Sequence, residues 1–325
     1  MLALGAALSI GAALLVLRSD LLRLDLPTLK ARYELPNSRY ADIDGVRVHY
    51  VDEGSGPPVV LVHASFMSLH SWDALAAALR PRYRVIRFDQ LGAGLTGPDP
   101  ANDYSQQHNQ RLLDGLTRKL GLERFALLGT SSGGITAFHY AAAHPERVTR
   151  LILVNSAGLP RTPATDPNRP RGGALLRWYR SQYQSRAYWR DSLRRQFTSG
   201  IEPPAALVDR VYDLNRRDTL RHEAPAIMRA FRTGEPQQVL ARVTAPTLIL
   251  WGLDNITVAH LEADVFQHWL VQAPTLLKKY PRVGHYLYHE IPDEFARDVE
   301  AFLSGALDRE LRRFGACLPA AASQY

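Results

Sequence analysis

Residues Gly129-Thr130-Ser131-Ser132-Gly133 set two adjacent serines between glycines, directly after an apolar run. A serine hydroxyl attacks an acyl carbon only when a base takes its proton, so the question is which serine reacts and what accepts the proton. The pattern is G-x-S-x-G, which acquires chemical meaning between a strand and a helix. "RFALLG" before it reads as a buried strand and "GGITAFHYAAAHP" after it as a helix. So tight a turn demands small flanking residues. Ser131 is therefore expected to be the nucleophile, and Ser132 to give its backbone N–H to the developing oxyanion. Alanine at 131 should abolish turnover, while alanine at 132 should be tolerated.

Among eleven histidines, His285 in "RVGHYLYHEIPDEF" follows a glycine and the last strand-like run, "PTLLKKYP", and precedes a helix with Pro292 near its start. It is the candidate base, and His289, four residues on, is read as structural. The base needs an acid to hold its tautomer and stabilise the imidazolium. The loop after "TLILWG" offers Asp254 and Asn255, and the exit of the preceding strand offers only Asn155.

Over roughly residues 40 to 305 the sequence resembles the α/β-hydrolase family, in its elbow, its Ser-then-His order and its "WGLDN" loop. Family members usually read W-G-x-x-D in that loop, which without a gap puts Asn255 at the acid position. A loop one residue shorter puts Asp254 there instead, and Asp254 is the expected acid. The resemblance also implies a second oxyanion donor after "VVLVH", by position the N–H of Ser65, with Phe66 as the alternative. Alanine at 64 stands where relatives carry glycine, a costly exchange if the position needs positive φ. His63 and Asp89, the latter in "DQLGAGLT", are expected to stiffen the floor of the site. Relatives that act on haloalkanes or epoxides use aspartate at the elbow, so Ser131 directs the reading to acyl transfer. The N-terminal apolar run, "GTSSGG" and "LVNSAGLP" together look most like membrane-anchored lipases and esterases, including the monoacylglycerol-lipase type. The implied activity is hydrolysis of carboxylic esters through Ser131, His285 and Asp254, with no metal or organic cofactor. A C–C bond hydrolase of ring-cleavage products is the alternative enzyme, and a non-catalytic binding protein on a hydrolase scaffold the alternative outside enzymes.

Strand-like runs at "VRVHYVDE", "PPVVLVHA", "YRVIRFD", "RFALLG", "VTRLILV" and "APTLILWG" alternate with helix-like stretches. Several are apolar throughout rather than alternating, as strands covered on both faces are. This predicts an α/β fold, a mostly parallel central sheet with helices on both faces. The core is expected over residues 36–155 and 244–308. Residues 156–243, rich in Pro, Arg and amphipathic pieces, are expected to form a helical cap, and 309–325 a tail. Aromatic residues of the cap, Trp178, Tyr179, Tyr183, Tyr188 and Trp189, read as core more than as an acyl pocket.

A single cysteine, Cys317, excludes an intramolecular disulfide and any cysteine metal cluster. The formal charge is +7, and residues 161–243 hold sixteen arginines, no lysine and eight acidic residues. Acidic residues are interspersed and no nucleic-acid motif accompanies them, so a solvated face is expected and nucleic acid is not. Residues 2–17 form an uncharged apolar run, followed by Arg18, Arg23, Lys30 and Arg32. Residues 1–35 are read as an uncleaved membrane anchor with an amphipathic linker, leaving the catalytic domain on the cytoplasmic side. The expected substrate is a small ester with an apolar acyl group.

Overall fold

A computed structural model describes residues 22–160, 183–220 and 234–315, with Gly173 and residues 223, 224, 226 and 227. The apolar run of residues 2–17, residues 161–172 and 174–182 of the cap with Trp178 and Tyr179, and Cys317 lie outside the described residues.

In chain order the elements are helix α1 (Leu26–Tyr33), strands β1 (Ser38–Ile43), β2 (Val46–Glu53) and β3 (Pro58–Val62), α2 (Asp73–Leu79), β4 (Arg84–Phe88), α3 (Gln106–Lys119), β5 (Phe125–Thr130), α4 (Ser132–Ala143) and β6 (Val148–Val154). There follow α5 (Arg186–Gln196), α6 (Ala205–Leu214), α7 (Pro236–Leu240), β7 (Thr247–Gly252), α8 (Glu262–Trp269), β8 (Thr275–Tyr280), α9 (Leu287–Glu290), α10 (Pro292–Leu303) and α11 (Asp308–Gly315). Among the described residues the strands make one sheet in the order β1-β2-β4-β3-β5-β6-β7-β8. β1 and β2 run antiparallel and β4 through β8 with β3 run parallel, so the ends of β3, β5, β6, β7 and β8 all open on one edge. That edge is where ligands bind in open α/β sheets.

Residues of the central strands divide between two apolar layers with the period of two that a pleated strand imposes. Val60, Val62, Leu127, Leu151, Leu153, Ile249 and Trp251 face α3, α4 and α8. Val59, Leu61, Leu128, Ile152, Val154, Leu248 and Leu250 face the other way, into the layer built with α2 and α10. Apolar burial on both faces is what made these strands continuous hydrophobic runs.

The segment between β6 and β7 contributes α5, opened by the Ser185 hydroxyl on the Tyr188 N–H, and α6. Their Trp189, Leu193, Phe197, Leu207, Val208 and Val211 join the second layer, so Trp189 is core, as its helical spacing implied. The described arginines here are largely in ion pairs: Arg186 with Asp209, Arg216 with Asp213, and buried Arg217 with Glu223. One boundary differs from the sequence reading, at the C-terminal end. Residues 308–315 are helix, not tail, with Leu311 buried. The linker is docked: Asp213 of α6 accepts from Arg32 and Tyr33, and Leu29 is fully buried.

Candidate active site

Strand β5 is buried along its whole length and turns into α4 within one residue. Ser131 is that residue, at φ 52° and ψ −122°, a conformation rare for a side chain other than glycine. Its N–H donates to the Val154 carbonyl, and its own carbonyl accepts from Gly134 and Ala157. Methyl groups cannot fit around it. A Cβ at Gly129 would lie 2.4 Å from the Gly133 carbonyl, and one at Gly133 would lie 2.4 Å from the His63 carbonyl. Ser131 is thereby held partly exposed at the sheet's open edge.

Beside it the exit of β3 supplies the Ser65 loop. The left-handed residue there is Phe66, at φ 66°, and Ala64 is not among the residues with positive φ. The exchange of glycine for alanine therefore carries no conformational cost at 64. Ser65 donates both its N–H and its hydroxyl to Ser132 Oγ, at 2.7 and 2.8 Å. The Ser132 side chain thus has a partner of its own, where only its backbone was expected to act. Beneath the loop, His63 bonds the Ala64 carbonyl through Nδ1 and receives the Gln90 N–H on Nε2. Burial holds its basicity below the usual range. Asp89 collects His49 Nδ1 and the N–H groups of Leu69 and Leu95. Burial alone would raise its pKa, but His49 and these donors hold it down at about 2. Both residues brace the floor, as expected.

His285, buried, lies in the loop after β8. Its N–H donates to the Gln196 carbonyl at the end of α5, and its carbonyl accepts from Asn155 Nδ2. Asn155 ties this loop to the elbow's neighbourhood, since the next turn of its chain bonds the Ser131 carbonyl. The ring's Nδ1 is 3.1 Å from Asn255 Oδ1. Asp254 does not face the histidine. It is exposed, and its carboxylate takes the Thr198 hydroxyl. The ungapped register is the one that folds: Leu253 N–H on Tyr280 and Asp254 N–H on Val283 pin the loop so that Asn255 points inward. The expectation for Asp254 is corrected on this geometry, and the position beside His285 holds an amide.

The structure thus gathers Ser131, Ser132, Ser65, His285 and Asn255 at one edge of a doubly covered parallel sheet and leaves Asp254 outside the group. A family model of the α/β hydrolase fold matches residues 57–292. This chain belongs to the α/β-hydrolase fold family. The hydrolase is 28% identical over 277 residues to a 2-hydroxy-6-oxononadienedioate/2-hydroxy-6-oxononatrienedioate hydrolase of Dechloromonas aromatica, covering 81% of this chain and 92% of that one. It is 25% identical over 285 residues to haloalkane dehalogenase 2 of Mycobacterium tuberculosis, covering 81% and 93%. A solved membrane phospholipase A shares its fold, with a TM-score of 0.69 at 23% identity over 94% of this chain and 96% of that one.

Four residues that position the hydrolase's histidine escaped sequence reasoning or were given no role by it. Gln196 accepts from His285 and, through its side chain, from Tyr286 and Thr257. Glu290 takes the N–H groups of Gly284, Tyr286 and Thr198. Thr198 and Asn155 complete the set. Only Asn155 had a signal, as a polar residue at the exit of an apolar strand. His289 is stacked against Phe197, and burial lowers its pKa to about 4, which leaves it neutral packing.

Proposed function

We propose that this α/β-hydrolase cleaves carboxylic esters through an acyl-enzyme on Ser131. The observation that carries the reading is Ser131 itself, forced into a left-handed turn at the open edge of the sheet between glycines that cannot be enlarged. Its Oγ attacks the acyl carbon while His285 Nε2 accepts the proton and returns it to the departing alkoxide. The N–H groups of Ser132 and Ser65 receive the oxyanion, the latter turning from Ser132 Oγ. Asn255 Oδ1 holds the Nδ1–H of the ring. Water deprotonated by His285 then releases the acid. Haloalkane chemistry does not transfer from the dehalogenase relative. A carboxylate nucleophile yields an ester that water can cleave, whereas a serine would yield a stable ether.

Hydrolysis of a C–C bond is the second reading, favoured by 28% identity across 92% of the dienedioate hydrolase. Both readings share Ser131, so a fluorophosphonate adduct on Ser131 is the first test. A folded protein that takes no adduct would instead be a binding protein on this scaffold. A p-nitrophenyl ester series run beside a vinylogous diketone acid, with Ser131→Ala as control, then separates esterase from C–C hydrolase. Higher kcat/KM on the diketone acid overturns the ester reading.

The same proposal places the protein on a membrane through residues 2–17, with the catalytic domain cytoplasmic. It is supported by the uncharged apolar run and the arginines that follow it. No helix among the described residues is long and apolar enough to cross a membrane. Full-length protein should sediment with membranes, and a chain beginning at residue 22, which keeps α1 docked, should not. Full-length protein in the soluble fraction overturns the anchor.

A further inference from the structure

Asn255 occupies a receptor for a side-chain oxygen. Its Oδ1 is the focus of three donors: the N–H of Thr257 at 2.9 Å, the N–H of Val258 at 3.1 Å, and Nδ1 of His285 at 3.1 Å. The residue is 5% exposed, and its Nδ2 is buried with no acceptor. Two backbone N–H groups cannot be met by an NH2 group, so they fix which end of the amide faces the histidine. An oxygen faces Nδ1, the ring carries its proton there, and Nε2 keeps the lone pair that a base requires. The tautomer is the productive one, and what the amide lacks is charge. An aspartate here would take the same three bonds on one oxygen, set its second oxygen where Nδ2 now lies, and oppose the imidazolium with a charge of its own.

How much that missing charge matters depends on how far the serine proton has moved in the transition state. When the leaving group is a strongly basic alkoxide, the proton sits almost fully on imidazole and must be handed on as the acyl–oxygen bond breaks. When the leaving group is a weakly basic phenolate, enolate or thiolate, attack is early and the group departs as an anion. Little imidazolium charge then develops. We propose that Asn255 tunes the Ser131–His285 pair to acyl donors with weakly basic leaving groups, namely aryl esters, enol esters and thioesters, and against alkyl esters. This rests on the serine-hydrolase reading above. In the acylation step the Oγ–acyl bond forms and the acyl–oxygen or acyl–sulfur bond breaks. The serine proton passes through Nε2 to solvent, and nothing is oxidised or reduced. Asn255 touches the base and not the reacting atoms, so it is a positioning residue.

The test is kcat/KM on acetyl esters that differ only in leaving group, from p-nitrophenyl through phenyl to ethyl, for the native chain, Asn255→Asp and Ser131→Ala. Asn255→Asp should raise kcat/KM on the ethyl ester by about 100-fold or more and on the p-nitrophenyl ester by less than about 10-fold, the gain growing with leaving-group basicity. The same factor across the series, or no gain in an Asn255→Asp protein that melts with the native one, overturns the proposal. The native chain also tests it without a variant, because ethyl and p-nitrophenyl esters turned over at similar kcat/KM overturn it alone. Fluorophosphonate labelling keeps the two levels apart. A labelled Ser131 with no differential gain sinks only the proposal, whereas no label and no turnover in either protein sinks the hydrolase reading and the proposal with it.

Discussion

The elbow at Ser131 and the loop after β7 carry two halves of one site, and they are held by different forces. At the elbow the constraint is steric: added methyl groups at Gly129 and Gly133 would meet backbone oxygens at 2.4 Å, and nothing nearby can move without moving β3 or α4. In the β7 loop the constraint is a set of hydrogen bonds converging on side chains, with Leu253 and Ile256 left exposed to solvent. A sterically fixed site tolerates almost no change of residue. A site fixed by hydrogen bonds tolerates an isosteric change that alters charge and leaves the geometry in place. Asparagine beside the proposed base, His285, is such a change.

The largest effect expected from breaking the elbow is chemical. Ser131→Ala should lower kcat on p-nitrophenyl esters by about 10^4-fold or more with KM little changed, read by steady-state kinetics on protein with native melting behaviour. On the loop side, Asn255→Ala removes the acceptor that sets the histidine tautomer and should cost about 100-fold in kcat. Asp254→Ala, at an exposed carboxylate, should stay within about 3-fold. A larger loss at Asp254 would relocate the acid and undo the contrast between the two regions. Gly133→Ala should destabilise the fold by about 2 kcal/mol, measured as a lower urea midpoint, because the new methyl is forced against the His63 and Val62 carbonyls. A Gly133→Ala variant as stable as the native protein would show that the elbow is not sterically fixed. A modest effect belongs to Ser132→Ala, which removes the acceptor of both Ser65 bonds. About 1 kcal/mol, or roughly fivefold in kcat/KM, is expected.

The same division explains what is legible in the sequence. Steric demands select residue types, so the glycines around Ser131 announce the elbow, and burial on both faces announces β3 through β7. The Ser131 and His285 loops could be named from such signals. Asp254 against Asn255 could not, because two polar neighbours in a loop look alike until backbone bonds to Tyr280 and Val283 fix which one turns inward. The cost feared for Ala64 is absent because positive φ falls two residues later, at Phe66, a shift no composition rule encodes. β1 escaped notice for another reason. As an edge strand it buries only Ala41 and Ile43 and carries Ser38, Arg39 and Asp42 among its apolar residues. Gln196 and Glu290 act on His285 through backbone groups, and an acceptor for a backbone N–H leaves no mark on residue type.

Asparagine and aspartate codons differ by one base. Since the three donors around Asn255 already converge on the oxygen that either residue presents, a lineage can gain or lose a buried negative charge at this point in a single mutation. The loop therefore acts as a crossing between two chemistries of one scaffold, open in both directions to drift as well as to selection.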